Sequence, residues 1–115
     1  MELLNKRVVI TGVSRGIGNA LVHQFLDKGC VVGGMGLRDP KINNPNFTFY
    51  NTDIRNSDNV IHSFRSFYAT NANRIDILVN NAGLGYFGKV EEYSNEQISE
   101  MFETNVYGTL YTCKE

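Results

Sequence analysis

The chain has 115 residues, of which 42% are hydrophobic and 20% are charged, and its formal net charge is -1. This length fits one domain with a core and excludes a nucleotide domain joined to a separate substrate domain, so we expect a single domain over residues 1–115. The near-neutral charge gives no electrostatic reason to expect nucleic acid or an acidic membrane as a partner.

The two cysteines and the N-terminal residues bear on the cellular compartment. Cys30 and Cys113 have neither the spacing of a metal site nor that of a redox motif. The first ten residues, MELLNKRVVI, contain no apolar segment long enough for a signal peptide or a membrane span. We therefore expect reduced thiols, no metal ion, no membrane association and a cytoplasmic location.

The first half of the chain predicts two strands separated by a helix. Residues 7–11 (RVVIT) form a short β-branched run, and residues 30–35 (CVVGGM) form an apolar run that its glycines weaken as a strand. Between them, residues 17–25 have the spacing of an amphipathic helix, with Gly29 placed to end it. The apolar face of this predicted helix contains Ile17, Ala20, Leu21 and Phe25.

The second half of the chain predicts two more strands and two helices. Residues 47–50 (FTFY) and 75–80 (IDILVN) have the composition of strands, and residues 57–58 (SD) begin a helix between them. Ser94 and Gln97 form a capping box that opens the last helix. The apolar stripe of this last helix contains Ile98, Met101, Phe102, Val106, Thr109, Leu110 and Cys113.

Strands that alternate with helices and consist of continuous apolar runs predict a parallel sheet covered on both faces. Right-handed crossovers then give an α/β fold with a doubly wound parallel sheet and strand order 3-2-1-4. In that order the first and fourth strands are neighbours. Their carboxyl ends, residues 11–12 and 80–81, would flank the crevice in which such sheets bind ligands.

The glycine-rich loop after the first strand, residues 11–18 (TGVSRGIG), has the chemistry of a phosphate site. Its glycines let backbone amides approach a pyrophosphate, and the following helix adds unpaired amides and the positive end of its dipole. The spacing is neither that of the G-x-G-x-x-G dinucleotide fingerprint nor that of a P-loop. A plain strand-to-helix turn is the alternative interpretation of the loop alone.

The T-G-x-x-x-G-x-G pattern of this loop resembles that of the short-chain dehydrogenase/reductase family, and three further motifs follow in the family's order. They are Asp53 after the third strand, N-N-A-G at residues 80–83 and N-x-x-G at residues 105–108. The resemblance extends from about Lys6 to the last residue. It implies a Rossmann-like fold and a nicotinamide-dependent oxidoreductase.

The resemblance implies a role for each matching residue. The pyrophosphate and the adenosine ribose would be bound by Thr11, Gly12, Ser14, Arg15, Gly16, Ile17 and Gly18. The adenine would contact Asp53 and Ile54, and the nicotinamide-side ribose would lie beside Asn81, Ala82 and Gly83. Taken singly, each residue has an ordinary structural explanation, such as a turn aspartate, a strand-end amide or a flexible glycine loop.

The end of the second strand bears on the choice between NAD and NADP. An acid there selects NAD, but the family's acid position falls at about Gly36, so the acid is missing. Arg15 and Arg38 carry guanidinium groups that suit a 2′-phosphate. The sequence therefore favours NADP over NAD as cofactor. Asp39 is the open alternative, since a shift of a few residues would make it the NAD-selecting acid.

The family's proton donor is a tyrosine activated by a lysine four residues later, and no Y-x-x-x-K occurs in the 115 residues. Tyr86 to Lys89 and Tyr111 to Lys114 are each one residue short. Asn105 is the only member of the family's catalytic set that is present. The resemblance implies that Asn105 distorts its helix and has at most a structural or water-binding role.

The resemblance also implies that the sheet continues beyond the fourth strand. We therefore expect an incomplete sheet, truncated before the catalytic serine and the tyrosine-lysine pair, with the fourth strand left as an edge. Part of the exposed apolar face of the last helix would then be the interface of a homo-oligomer.

These observations lead to one preferred hypothesis of function and two alternatives. The preferred hypothesis is the cofactor-binding half of an oxidoreductase that transfers hydride between nicotinamide and a carbonyl or alcohol, inactive alone. The alternatives are a stand-alone nucleotide-binding or interaction module without catalysis and a phosphoryl-receiver domain. Receivers need an acidic cluster after the first strand, and residues 11–14 (TGVS) do not supply one. The substrate is not predicted.

Overall fold

A computed structural model describes residues 2–115 of the chain. Its strands and helices, in chain order, are β1 (Arg7–Thr11), α1 (Gly16–Asp27), β2 (Val31–Gly36), β3 (Phe47–Asn51), α2 (Ser57–Thr70), β4 (Ile77–Val79), α3 (Asn95–Phe102) and α4 (Gly108–Lys114). A 3-10 turn, Val90–Glu92, precedes α3, and a π-helical turn, Glu103–Tyr107, joins α3 to α4. Among the described residues, no helix is both long enough and apolar enough to cross a membrane.

The strands form one parallel sheet in the order β3-β2-β1-β4, which confirms the predicted topology. Thr11 at the end of β1 lies opposite Met35 of β2. On the other side of β1, Ile10 lies opposite Val79 of β4. The carboxyl ends of β1 and β4 are therefore side by side at one edge of the sheet, where a doubly wound fold places its ligand crevice.

Each face of the sheet has its own apolar core. Successive strand residues point to opposite faces, so Val8 and Ile10 pack on the side of α1 while Val9 packs on the side of α2. Apolar residues of α1 complete the first core, and Phe64 and Phe67 of α2 dominate the second. The helices on both faces make the sheet doubly wound, as predicted.

The glycines that seemed to weaken β2 are packing positions. A Cβ at Gly33 would lie 2.6 Å from a ring carbon of Phe67 on one face, and a Cβ at Gly34 would lie 2.9 Å from the ring of Phe47 on the other. Both distances are below van der Waals contact, so the two glycines give room for two large aromatic side chains. The observed strand is shifted by one residue from the predicted range 30–35.

The predicted buried face of α1 is partly wrong. Ile17 is 73% exposed and Ala20 is also exposed. The face is rotated because Gly18, which follows Ile17, packs directly beneath the glycine loop. The residues of α1 that face the core are Gly18, Leu21, Val22, Phe25 and Leu26.

β4 is shorter than the predicted range 75–80, and its ladder with β1 covers only Ile77–Val79. The ladder ends because the next amides find a side-chain partner. The backbone N–H groups of Asn81 and Ala82 donate to Oγ1 of Thr11 at 3.2 and 3.0 Å. The hydroxyl of Thr11 therefore accepts the hydrogen bonds that a backbone carbonyl of β1 would accept if the β1–β4 ladder continued.

Helix termini follow the sequence closely. The capping box is present, since the Ser94 hydroxyl accepts from the Gln97 amide and the Gln97 side chain accepts from the Ser94 amide. Helix α2 begins at Ser57 as predicted, but its N-cap is Asn56, whose side chain accepts from the Asn59 amide at 3.0 Å. The sequence therefore located both helix starts.

A π-helical turn interrupts the last helix, which the apolar spacing predicted to be continuous and in which the resemblance implied a distortion at Asn105. Its apolar stripe faces outward, with Phe102 58%, Val106 42% and Leu110 59% exposed. The buried positions of α4 are Gly108 and Thr112. The expected exposure is confirmed for Phe102, Val106 and Leu110, whereas Met101 is half-buried.

Candidate functional site

A cavity of about 690 Å³ lies at the carboxyl edge of the sheet. Loops after all four strands line it, together with one residue of the π-helical turn. The lining residues are Gly12, Ser14, Arg15, Gly16, Gly36, Leu37, Arg38, Thr52, Asp53, Ile54, Arg55, Asn81, Ala82, Gly83, Leu84 and Thr104. Its volume is that of a small-molecule or cofactor pocket.

Most of the predicted cofactor residues line this cavity, and three do not. Thr11 is buried and its side chain holds the loop after β4. Gly18 is buried beneath the glycine loop. The side chain of Ile17 extends into solvent. The structure thus brings four sequence-distant segments together at one site, as their positions at strand ends predicted.

The loops after β1 and β4 are locked to each other by three hydrogen bonds. Two are the Thr11 Oγ1 contacts with the amides of Asn81 and Ala82. In the third, Nδ2 of Asn81 donates to the carbonyl oxygen of Gly12 at 2.9 Å. The side chain of Asn81 therefore stabilises the conformation of the glycine loop and is not an ordinary solvated strand-end amide.

The glycine loop adopts backbone conformations that favour glycine. Gly12 and Gly16 have φ angles of +74° and +63°. A Cβ at Gly18 would lie only 1.9 Å from the carbonyl oxygen of Gly12, so α1 begins in direct contact with the loop. Arg15, the N-cap of α1, makes no side-chain hydrogen bond to the first turn. The first amides of α1 are thus open to an acceptor from the cavity.

Arg15 and Arg38 line the cavity from two directions, after β1 and after β2. Over residues 2–115 the ion pairs are Arg55 with Asp53 and Arg74 with Asp76, so neither Arg15 nor Arg38 is paired with a carboxylate. Asp39 does not line the cavity, and its Oδ1 accepts from the Lys41 amide at 2.8 Å. The guanidinium groups of Arg15 and Arg38 are therefore unpaired positive charges in the lining of the cavity.

Asp53 lines the cavity with its carboxylate held by Arg55. The Arg55 guanidinium donates from Nε to Oδ1 at 3.0 Å and from Nη2 to Oδ2 at 2.8 Å. Hydrogen bonding from this side chain is the main cause of a pKa below the usual range for Asp53, against a smaller opposing effect of burial. The sequence analysis missed Arg55, because a spacing of two residues does not by itself predict an ion pair.

Asn105 lies in the π-helical turn, directly behind the cavity wall. Its Nδ2 donates to the carbonyl oxygen of Leu84 at 2.7 Å, and its Oδ1 accepts from the Leu84 amide at 2.8 Å. Both polar groups of the amide are thus satisfied by one residue, and Leu84 lines the cavity. The implied helix distortion at Asn105 is present as the π-helical turn.

The described residues contain no group of three or more His, Cys, Asp or Glu side chains placed to hold a metal ion. The site combines a glycine loop, two unpaired arginines and a carboxylate held by a third arginine at the switch point of a doubly wound sheet. Fold and site together define a Rossmann-like nucleotide-binding domain.

A family model described as short chain dehydrogenase matches residues 6–115, and the chain therefore belongs to that family. A 3-ketodihydrosphingosine reductase of Bacteroides thetaiotaomicron is 31% identical over 107 residues, which cover 93% of this chain. The matched segment is 39% of that reductase, so the chain spans less than half of this relative.

Solved structures show the same similarity in three dimensions. A short chain dehydrogenase of Leptospira borgpetersenii with bound NAD+ has a TM-score of 0.91 at 29% identity, over 98% of this chain and 45% of that one. The structure of ElxO with NADP bound has a TM-score of 0.86 at 27% identity, over 96% of this chain and 48% of that one. In both comparisons, this chain matches slightly less than half of the solved structure.

Proposed function

We propose that the chain is the cofactor-binding part of an NAD(P)-dependent oxidoreductase that transfers hydride between nicotinamide and a carbonyl or alcohol. The observation that carries the proposal is the cavity at the switch point, where the glycine loop, Arg15, Arg38 and Asp53 converge. The relatives bound to NAD+ and NADP support it, because they share this half of the fold.

The residues around the cavity fit a dinucleotide. A Cβ at Gly16 would find no atom within 4 Å, so there is open space above the first turn of α1. The first amides of α1 would bind the pyrophosphate there, with Gly12 and Ser14 beside it. Asp53 and Ile54 would meet the adenine, and Asn81, Ala82 and Gly83 would line the nicotinamide-side ribose. Thr11, Ile17 and Gly18 do not line the cavity, so their contribution to binding the dinucleotide would be indirect.

We propose NADP as the preferred cofactor. Gly36 leaves the NAD-selecting position without an acid, while Arg15 and Arg38 are both unpaired and line the same cavity. Asp39, the alternative acid, is engaged with its own turn at Lys41. Two guanidinium groups near a phosphate supply charge-assisted hydrogen bonds, which are among the strongest in proteins.

The bound nicotinamide would supply the hydride, and the chain's own residues would hold it in place. Thr11 and Asn81 fix the loop beside the nicotinamide end through the contacts described above. Asn105 would act as a positioning residue, since it holds Leu84 of the cavity wall by both backbone groups. The 115 residues contain no Y-x-x-x-K for proton transfer, so we propose cofactor binding without turnover by the chain alone.

We further propose that the exposed apolar face of the last helix is covered by a second copy of the chain. This face consists of Ile98, Phe102, Val106 and Leu110, each at least 36% exposed. Contiguous exposed apolar residues of this kind mark interaction surfaces.

Calorimetric titration with NADPH and NADH tests the proposed function. We expect saturable binding of one dinucleotide per chain, with NADPH bound more tightly. Arg15→Met and Arg38→Met should each weaken NADPH binding about tenfold and leave NADH binding nearly unchanged, because they remove phosphate partners. Arg65→Met, which removes an exposed arginine of α2 outside the cavity, is the matched control. The absence of binding by either dinucleotide would contradict the proposal.

A further inference from the structure

Three basic side chains lie at the edge of the sheet opposite the cavity, where β1 and β4 begin. Arg7 is the first residue of β1, Lys6 precedes it, and Arg74 lies between α2 and β4. Asp76 is the carboxylate among them, and its Oδ2 pairs with Nε of Arg74 at 3.3 Å. Within residues 2–115 neither Lys6 nor Arg7 forms an ion pair, so positive charge exceeds negative charge in this group.

The guanidinium groups of Arg7 and Arg74 are held together by one acceptor. Nη1 of Arg7 donates to the carbonyl oxygen of Asn5 at 3.1 Å, and Nη2 of Arg74 donates to the same oxygen at 3.4 Å. Two like charges so close together repel each other unless an anion compensates them. Asp76 compensates one charge, because its Oδ2 is shared between the Arg7 amide and Arg74.

Lys6 belongs to the same group of charges. The hydrogen bond from the Arg7 amide is the main cause of the lowered pKa of Asp76, and desolvation opposes it. The positive charges of Arg74 and Lys6 lower this pKa further. Lys6 is therefore near enough to act on the same carboxylate, and the three basic residues form one cationic cluster.

One edge of the Arg7 guanidinium has no partner. Its Nε is the only buried side-chain nitrogen or oxygen in residues 2–115 that makes no hydrogen bond, and Nη1 is the only side-chain nitrogen of Arg7 that donates there. Buried unpaired donors are rare in folded proteins, and a bound ion is one explanation. In Arg55 the same edge, Nε with Nη2, binds both oxygens of Asp53 at 3.0 and 2.8 Å. The corresponding edge of Arg7 is thus suited to an oxyanion.

We propose that the cationic cluster of Lys6, Arg7 and Arg74 is a binding site for a phosphate group. Nη2 of Arg7 would donate to one phosphate oxygen, and Nε would reach a second after a small rotation of the guanidinium. Arg74, whose side chain is 50% exposed, and Lys6 would donate to the remaining oxygens. The site lies at the edge of the sheet opposite the dinucleotide cavity, so the inference does not depend on the proposed function.

The charge of the cluster favours phosphate over a carboxylate as its ligand. Three basic side chains and the carboxylate of Asp76 leave two positive charges uncompensated. A phosphate group carries a charge of about −1.5 to −2 near pH 7, whereas a carboxylate carries only one negative charge. Guanidinium groups also match the spacing of phosphate oxygens. The ligand would be inorganic phosphate or the phosphate monoester of a small molecule, which share this chemistry.

Nitrogen-15 NMR during titration with inorganic phosphate, and separately with glycerol 3-phosphate, tests the proposal. Sodium chloride keeps the ionic strength constant. We expect the amide resonances of Lys6, Arg7 and Arg74 to shift and saturate, with a dissociation constant of roughly 1 mM for the better ligand. Tighter binding of one of the two probes identifies the source of the phosphate group. Shifts at Gly16 would instead report phosphate in the cavity, and they should be the same in the cluster variants.

Substitutions separate this site from a general effect of charge. Arg74→Gln should weaken phosphate binding about tenfold, and Lys6→Gln, which removes a more weakly held contact, about threefold. Arg7→Lys keeps the charge but loses the fork, so it should also weaken binding severalfold. Arg65→Gln, which removes an exposed arginine of α2, is the matched control and should bind as the wild type does.

Three results would overturn the inference. The first is a set of shifts that does not saturate or that sodium chloride alone reproduces, because this is the behaviour of ionic screening. The second is equal affinity for acetate, which would exclude phosphate as the preferred ligand. The third is equal affinity in Arg74→Gln and Arg65→Gln. Thermal melting identifies loss of folding, and the solvent-accessible Arg74 carries the test if Arg7→Lys does not fold.

Discussion

Two glycines at the cavity differ in the space that surrounds them. A Cβ at Gly18 would lie 1.9 Å from the carbonyl oxygen of Gly12 and 2.5 Å from Nδ2 of Asn81, so no side chain fits there. At Gly36 the nearest atoms would be the backbone nitrogens of Gly12 and Val13, each 4.0 Å away. Gly18 is thus required by packing, whereas Gly36 leaves an open position at the end of β2, where we propose that a side chain would select between NADH and NADPH.

The Gly36→Asp substitution should therefore shift cofactor preference toward NADH. A carboxylate there would accept from the ribose hydroxyls of NADH and would repel the 2′-phosphate of NADPH. We expect the ratio of the two dissociation constants to change by about tenfold or more. Gly36→Ala, which adds volume without charge, is the control in the same calorimetric assay. An equal loss of affinity for NADH and NADPH in Gly36→Asp would show that a side chain at position 36 affects binding only through its volume.

The π-helical turn between α3 and α4, and the first residue of α4, contact loops outside the helix. The Asn105 side chain binds both backbone groups of Leu84, and Gly108 allows α4 to approach Ile54 in the loop after β3. A Cβ at Gly108 would lie 2.7 Å from Cδ1 of Ile54, next to Asp53 in the cavity wall. The N-x-x-G motif thus connects the last helix to two parts of the cavity wall.

Asn105→Ala should loosen the loop after β4. The substitution leaves the amide and carbonyl of Leu84 without their partner, at a cost of about 1 kcal/mol because the site is partly exposed. Amide hydrogen exchange at Leu84 should become faster, with little change in the strands. Asn95→Ala, on the exposed first turn of α3, is the matched control. Unchanged amide exchange at Leu84 would contradict the claim that the Asn105 side chain stabilises the loop after β4.

Asp76 connects the starts of β1 and β4 at the edge opposite the cavity. Its Oδ2 accepts from the Arg7 amide at 2.7 Å and forms an ion pair with Nε of Arg74 at 3.3 Å. The hydrogen bond from the Arg7 amide is the main reason that its pKa lies below the usual range. A carboxyl with a lowered folded-state pKa stabilises the fold above its unfolded pKa, and this stabilisation is lost as the pH falls through the folded-state value.

Asp76→Asn should accordingly lower the melting temperature at neutral pH. The difference from the wild type should shrink as the pH falls from about 4, the ordinary pKa of an aspartate, through the lower folded-state pKa at which the wild-type carboxyl becomes protonated. Thermal melting followed by circular dichroism across this range measures it. Asp58→Asn, an exposed carboxyl in the first turn of α2, is a comparison in which the Arg7 contact is intact. A deficit of Asp76→Asn that is constant with pH would exclude this ionisation as the cause.

The sequence predicted the elements and the site loops better than the contacts between them. Strand and helix alternation determined the sheet order, and the motifs located the cavity, because both are local patterns. The Asp53–Arg55 pair depends on a contact that only the folded chain creates, whereas the resemblance already implied a distorted helix at Asn105. The rotated face of α1 also depends on tertiary contacts, since Gly18 packs against the carbonyl oxygen of Gly12 and the side chain of Asn81.

The whole molecule is elongated, with extents of 48 × 26 × 26 Å and a radius of gyration of 14.8 Å. A compact chain of this length has a radius of gyration of about 13 Å. Helix α3 contributes no buried residue, and the outward face of the α3–α4 segment carries the exposed apolar stripe. The sheet with α1 and α2 thus forms a compact body, and within the described residues nothing covers the apolar face of the α3–α4 segment.

Self-association should depend on this face. We expect the wild-type chain to form dimers or larger species, and the double substitution Phe102→Glu with Leu110→Glu to shift it toward monomer, because buried charges disfavour an apolar interface. Analytical ultracentrifugation over a range of concentrations measures the change. Val90→Glu, at an apolar residue that is 74% exposed outside this face, is the control. Equal self-association of the double variant and the wild type would locate the interface elsewhere.

The central claim, that the cavity at the carboxyl ends of β1 and β4 binds a nicotinamide dinucleotide, is tested most directly by nitrogen-15 NMR during titration with NADPH. We predict that amide resonances of the cavity loops shift and saturate, among them Gly12, Gly16, Arg38, Asp53 and Asn81. Resonances of the exposed face of α2, such as His62 and Arg65, should stay in place. An absence of shifts, or shifts confined to α2, would contradict the claim.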